Sequence, residues 1–321
     1  MRAPLFWKTT HWVSDLLQPV SYLYGTIAAR QYTRVTPERV ATPILCVGNL
    51  VAGGAGKTPV ALALYQLLKS VYPNLSFISR GYGGTQVTPI QVDVHHHPYT
   101  RVGDEPLLLA RTARTCVGKD RVATARLAIQ NGADCLIMDD GFQNPSLHKD
   151  VSILVVDGGY GFGNGRLIPA GPLREPIEKG LSRADAVVLV DDDTHSVVAR
   201  ISDTPLFRAS TSITAQGVDV SKKLIAFAGI GRPEKFHMSL RQRGYNVIKM
   251  IGFADHHPYR DAELRSLVAK AREYDAQLVT TEKDFMRIPH AYRDEVKTVL
   301  LTLTFESPDA LRALILSKLH G

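Results

Sequence analysis

Six adjacent residues, Gly53, Gly54, Ala55, Gly56, Lys57 and Thr58, have the types and spacing that bind phosphate. Glycines let successive backbone N–H groups curl around phosphate oxygens. A lysine beside them reaches the outer phosphates of a nucleotide such as ATP, and the next hydroxyl can ligate Mg2+. The strict pattern G-x-x-x-x-G-K-[ST] is not met, because its first glycine falls on Val51. In the related form K-G-G-x-G-K-T the signature lysine falls on Ala52. A second chemical pair, Asp139 and Asp140, follows the apolar run at 135–138. Carboxylates at the end of a strand hold magnesium beside a phosphate loop, as in a Walker B element. The sequence leaves open which of the two is the ligand.

These groups need rigid elements to place them. Residues 44–47 form an apolar β-type run and residues 60–69 a helix-forming run, so the glycines sit between strand and helix. The helix start adds its positive dipole end to the loop. Further strands are predicted at 75–79, 151–156, 186–190, 224–228, 247–251, 278–281 and 298–303, and helices at 107–115, 234–243, 261–273 and 308–319. Asp104 and Glu105 stand at a helix start, where acidic residues complement the dipole and cap free N–H groups. The prolines of RLIPAGPLREP make 166–176 an extended segment. His95, His96 and His97 read as a surface loop, since consecutive histidines do not converge easily on one ion. The alternation predicts an α/β protein with a P-loop NTPase-like parallel sheet and helices on both faces. We divide it into an N-terminal arm (1–42), a P-loop core (43–205) and a smaller C-terminal α/β lobe (206–321) that completes the active-site cleft.

At 321 residues, 45% hydrophobic and 21% charged, the chain has the composition of a globular protein with a large core. No apolar run approaches the length of a membrane span, and the N-terminus lacks the continuous apolar core of a cleaved signal. Cys46, Cys116 and Cys135 have no metal-ligand spacing, which predicts reduced, buried thiols in a cytosolic protein. The net charge of +7 suits an anionic partner: nucleic acid, an acidic lipid surface or a phosphorylated substrate. In the arm, Phe6, Trp7 and Trp12 precede Leu16, Val20, Leu23 and Ile27 at helical spacing, with Leu17 and Tyr24 beside them. Pro19 either kinks this helix or opens a second one. Arg2, Lys8, Arg30, Arg34 and Arg39 outnumber Asp15 and Glu38. Such a helix lies either in a membrane interface or on the protein's own core.

The order of motifs resembles one family along nearly the whole chain. VGNLVAGGAGKTPV, SRGYGG, GDEPLLLA, DDGFQ, FGNGRLIPAGPLREP, AGIGRPEKF, ADHH and TTEKD are similar to those of the tetraacyldisaccharide 4′-kinases, the lipid A 4′-kinases of Gram-negative bacteria. The resemblance implies transfer of the γ-phosphoryl group of ATP, with Mg2+, to the 4′-hydroxyl of a lipid A disaccharide 1-phosphate. It implies peripheral attachment to the anionic cytoplasmic face of the inner membrane, which favours the interfacial reading of the arm. It calls for no nucleic acid and no obligate protein partner. Lys57 would hold the outer phosphates, and Thr58 with Asp139 or Asp140 the metal, with Glu105 a further candidate ligand. A sugar hydroxyl needs a base. Asp104 is the candidate, and by similarity His256, rather than His257, acts with it as a dyad. Arg80, Arg166 and Arg174 suit phosphate or headgroup contacts, while Lys283 and Asp284 of TTEKD fit salt bridging and substrate contact equally. The competing function is a P-loop ATPase or GTPase regulator, or a metallochaperone, with no small acceptor.

Overall fold

In the computed structural model, which describes residues 4–9, 11–201 and 203–320, the apolar runs pair edge to edge as strands. In chain order these are β1 (Ile44–Gly48), β2 (Ser76–Ser79), β3 (Ile90–Gln91), β4 (Thr115–Val117), β5 (Leu136–Asp139) and β6 (Val151–Asp157). They continue as β7 (Ala186–Val190), β8 (Leu206–Ala215), β9 (Lys223–Ala228), β10 (Val247–Gly252), β11 (Ala276–Thr281) and β12 (Val296–Phe305). The pairing order is β10-β9-β11-β12-β8-β7-β6-β1-β5-β2-β4-β3. Every pair is parallel except β3 with β4 and β8 with β12. Residues of β1, β5, β6 and β7 are buried throughout. This is why they read as unbroken apolar runs, since helices cover both faces of a parallel sheet.

The helices are α1 (Trp12–Thr33), α2 (Lys57–Leu68), α3 (Tyr99–Val102), α4 (Asp104–Ala110), α5 (Arg121–Gln130) and α6 (Ile177–Leu181). They end with α7 (Pro233–Gln242), α8 (Asp261–Glu273), α9 (Glu282–Phe285) and α10 (Pro308–Leu319). Alternate residues of β1 feed opposite layers. Leu45 and Val47 pack with Val60 and Leu64 of α2 and Leu311 and Ile315 of α10. Ile44 and Cys46 pack with Ala125 and Ala128 of α5. In the second half Phe227 packs with Leu264 of α8, and Ala226 with Phe236 of α7. All three cysteines are buried and free.

The joint between the halves decides where the site can be. Leu206–Ala209 of β8 pair with β7, and Ala209–Ala215 pair with β12. In turn Val296–Val299 of β12 pair with β11, and Val299–Phe305 with β8. Each half-sheet therefore grips one end of a two-stranded ribbon. The ribbon strands are antiparallel, so the halves run toward each other and their carboxyl edges face across a cleft. Ligands gather at such edges, and here two of them are opposed.

The ribbon was not expected from sequence, because β8 reads LFRASTSITA, with polar residues on half of its positions. Also unexpected were β3, β4, α5 and α6, and the helix predicted at 107–115 starts and ends earlier, as α4. The sequence 166–176 holds neither helix nor strand apart from isolated bridges at Leu167 and Leu173. His95 and His96 are exposed in a turn, where Asp93 accepts from His96 Nδ1 at 2.8 Å.

The N-terminal arm holds a 3-10 turn (Leu5–Trp7) and then a single α-helix, α1, with Pro19 inside it. Its polar small residues face the protein. Ser14 and Ser21 are buried, and Ser21 Oγ donates to Leu167 O and accepts from Ala170 N, both at 2.9 Å. A Cβ on Gly25 would stand 2.6 Å from Leu167 Cδ1. The apolar residues face out: Trp12 69%, Leu16 69%, Val20 53%, Leu23 62% and Ile27 48% exposed. At about 100° per residue these five fall within roughly 80° of the helix circumference, opposite the serines. Phe6 and Trp7 are half-buried instead, Trp7 Nε1 donating to Pro169 O at 2.9 Å. Arg2 lies outside the described residues. Among the described residues no helix is long and apolar enough to cross a membrane.

Candidate active site

The phosphate loop runs from the carboxyl end of β1 to the first turn of α2. Gly53 (φ 115°) and Gly56 (φ 83°) adopt left-handed backbone that a side chain would strain. Gly56 is the N-cap of α2, so Lys57 and Thr58 open the helix. A Cβ at Gly53, Gly54 or Gly56 would meet nothing within 4 Å, so this rim of the loop is open. Ala55, by contrast, is buried as the loop's apolar anchor. Opposite stands the turn after β9, where a Cβ on Gly231 would come 3.2 Å from Gly54 N.

The two carboxylates after β5 have separate environments. Asp139 is 1% exposed, and its Oδ2 accepts from Thr58 Oγ1 at 3.0 Å. Its Oδ1 is buried with no hydrogen-bond partner. Burial first, then the charge of Glu105, push its carboxyl up to about 7 against the pull of Lys57. An orphaned carboxylate oxygen beside a hydroxyl is a hard-oxygen set that fits a divalent cation. Among the described residues no group of three His, Cys, Asp or Glu could enclose a metal. That is the partial shell magnesium accepts when phosphate oxygens and water supply the rest. Asp140 (φ 53°) pairs with Lys57 at 3.6 Å and Arg174 at 3.0 Å. Burial raises its carboxyl, but those two cations outweigh burial and hold it below the usual range. Arg174 also donates to Gln143 Oε1 at 3.2 Å, and Gln143 Nε2 to Asn49 O at 2.8 Å. The DDGFQ turn thus wraps the end of β1.

Across the cleft, the start of α4 meets the turn after β10. His256, also at positive φ (57°), places Nδ1 3.0 Å from Asp104 Oδ2. Its Nε2 stands 3.3 Å from Lys283 Nζ. An ammonium only donates, so this network assigns Nε2 as acceptor and puts the ring proton on Nδ1, toward Asp104. Burial raises the Asp104 carboxyl, yet the hydrogen bond from His256 and the charges of Lys283 and Arg287 leave it below its ordinary value. Lys283 Nζ also donates to Glu105 Oε1 at 2.8 Å. Burial disfavours that ammonium, but Glu105, Asp104 and Asp255 reverse the effect and raise its pKa.

The structure thus gathers Lys57, Thr58, Asp139, Asp140, Asp104 and Glu105 on the wall of the first half, and His256 and Lys283 on the wall of the second. His257 turns away to Glu263 at 2.9 Å. Arg80 is exposed, Arg174 belongs to the Asp140 cluster, and Arg166 pairs with Asp15 of α1 at 2.5 Å. Sequence reading passed over a third cluster. Asp157 at the end of β6 pairs with Arg232 and, at 2.8 Å, with Lys235, which reaches Asp191 after β7 at 2.7 Å. AGIGRPEKF carried the cations in plain view, but their partners stand at the carboxyl ends of strands of the other half. Arg287 was also missed, three residues beyond a motif that had been noticed.

The family model described as tetraacyldisaccharide-1-P 4′-kinase matches residues 13–320. The tetraacyldisaccharide 4′-kinase of Paramagnetospirillum magneticum is 47% identical over 98% of both chains. That of Rhodospirillum rubrum is 46% identical over 98% of this chain and 97% of its own. A crystal structure of LpxK from Aquifex aeolicus in complex with ATP superposes with a TM-score of 0.79 at 28% identity, covering 96% of this chain and 99% of that one. The family match spans both walls of the cleft and the ribbon between them, so the chain belongs to the tetraacyldisaccharide-1-P 4′-kinase family.

Proposed function

We propose that the cleft between the core of residues 43–205 and the lobe of residues 206–321 transfers the γ-phosphoryl group of ATP to the 4′-hydroxyl of a tetraacyldisaccharide 1-phosphate, a lipid A precursor, giving lipid IVA. The observation that carries this is the Asp104–His256 pair, closed across the cleft that the phosphate loop lines, in a chain whose family match is nearly full length. Gly53, Gly54, Ala55 and Gly56 present backbone N–H groups to the nucleotide phosphates. Lys57, parked on Asp140, moves its charge onto the outer phosphates as they bind. Asp139 and Thr58 would hold Mg2+, which would neutralise charge on the phosphate oxygens when bound. Asp140 keeps Lys57 and Arg174 aimed at the loop, and Glu105 holds Lys283 at the cleft wall.

Asp104 is ionised, so it can take the proton of the acceptor hydroxyl directly. His256 donates a hydrogen bond from Nδ1–H to that carboxylate and fixes its orientation. Lys283, on the far side of the ring, holds the imidazole in that tautomer. The acceptor is a lipid, which gives the outward apolar stripe of α1 a use. We place the chain peripherally on the anionic cytoplasmic face of the inner membrane, with Trp12, Leu16, Val20, Leu23 and Ile27 in the interface.

The test is transfer of radiolabel from ATP to extracted tetraacyldisaccharide 1-phosphate in mixed micelles, by the wild-type chain and by Lys57→Ala. The wild type should form labelled lipid. The variant should remain folded and lose about 10³-fold in rate, as removal of a charge on developing phosphoryl oxygens does. Acceptor-independent hydrolysis with no labelled lipid would contradict the kinase and favour a nucleotide-switched regulator.

A further inference from the structure

Among the described residues the largest fully buried side chain is a cation, Arg287, 1% exposed at its side chain. It lies just beyond α9 and touches three other segments. Nη1 donates to His257 O at 2.8 Å, and Nη2 to Gly229 O at 2.9 Å and Asp284 Oδ1 at 2.5 Å. Nε stands 3.2 Å from Asp104 Oδ2, an ion-pair contact that lacks the alignment of a hydrogen bond. Burying a guanidinium is costly unless it is paired and its donors are used. Its partners here include the proposed base and the turn that carries the proposed histidine.

Asp284 is the counter-anchor. It is fully buried and accepts from Gly229 N at 2.8 Å, Tyr259 Oη at 2.6 Å and Thr281 Oγ1 at 2.5 Å. Gly229 O accepts from His256 N as well, at 3.0 Å. A side chain at Gly229 would meet Ala254 O at 2.9 Å and Tyr259 Oη at 3.1 Å, so backbone packs on backbone there. Asp104 comes from the first half of the sheet, and Gly229, His256 and Asp284 from the second. Helix α4 and the turn after β10 have no strand pairing between them to set their spacing.

We propose that Arg287, locked by Asp284 and Tyr259, is a positioning residue that fixes Asp104 against His256 across the cleft. This assigns the aspartate of the TTEKD motif a role in holding the dyad, while Lys283 of the same motif faces the cleft. The inference rests on the kinase reading of the site. Arg287 does not touch the reacting atoms; it acts through Asp104.

The experiment is steady-state transfer to the lipid acceptor by Arg287→Lys and Tyr259→Phe, each alone and in an Asp104→Ala background. The lysine keeps a charge but loses the fork that spans Gly229, His257 and Asp284. The phenylalanine removes one donor from Asp284 and leaves its ring in the core, so it decides the matter even if the lysine variant does not fold. We expect kcat to fall about 10²-fold for Arg287→Lys, the scale of a reacting group misplaced by about an ångström. Tyr259→Phe should cost roughly tenfold, one hydrogen bond to a charged group. KM for ATP should hold in both, and both losses should vanish in the Asp104→Ala background. Losses that multiply in that background, or a kcat that does not change, would overturn the positioning role. A wild-type chain that forms no labelled lipid would instead refute the kinase reading, so the two failures are told apart.

Discussion

Asp139 shows how far residue types go and where three dimensions take over. The sequence offered two adjacent carboxylates and no means to choose. Burial separates them: one is left with an orphaned oxygen beside Thr58, the other sits between Lys57 and Arg174. The raised value of Asp139 has a consequence for the metal-free protein. Its folded pKa, about 7, lies above the unfolded value near 3.8. Between those values the folded state holds a proton that the unfolded state has released. Stability therefore falls as pH rises through that window and levels off above about 7. In chelator and without nucleotide, the wild type should lose melting temperature from pH 5 to pH 7.5, and Asp139→Asn should lose less. Equal slopes for the two proteins would show that Asp139 does not carry this charge cost. Other residues were legible from type alone. Lys57 had no use in a core, and Asp104 stood at a helix start, though only the fold shows that His256 reaches it.

Elements whose surroundings are uniform were read well from the sequence, and elements with mixed surroundings were not. Helices α8 and α10 have the limits expected from their periodicity, and β7 those of its apolar run. Strand β8 was invisible because a ribbon strand that is half exposed needs no regular apolar pattern. The arm is the reverse case, since its helical spacing was clear but the side it would bury was not. A soluble helix turns its apolar stripe inward; α1 turns serines and a glycine inward and its large apolar residues outward. Each of those side chains, once buried in lipid, would contribute roughly 1.5–3 kcal/mol at most, which suits reversible attachment. Leu16→Glu with Leu23→Glu should abolish co-sedimentation with anionic vesicles and leave the melting temperature in detergent-free buffer nearly unchanged. A large drop in melting temperature with vesicle binding intact would mean that the stripe serves the fold and not a membrane.

At the scale of the molecule, the family was legible in the order of its motifs, and the cleft was not. Each motif except GDEPLLLA, which opens α4, marks the carboxyl end of a strand or the loop after it. Only the antiparallel ribbon β8–β12 turns the two series of ends toward each other. That is how residues as far apart in the chain as Asp104 and His256 come within 3.0 Å. The central claim is that the two halves together make one phosphotransferase, with the proposed base on one and its partner on the other. It is tested most directly by transfer rates for Asp104→Ala, His256→Ala and the double variant on the lipid acceptor. Each single loss should be about 10²–10⁴-fold, the range for general base catalysis. The double variant should be little worse than the more damaging single one, since the residues act as a unit. Losses that multiply fully in the double variant would show two independent groups, and would contradict a catalytic pair closed across the cleft.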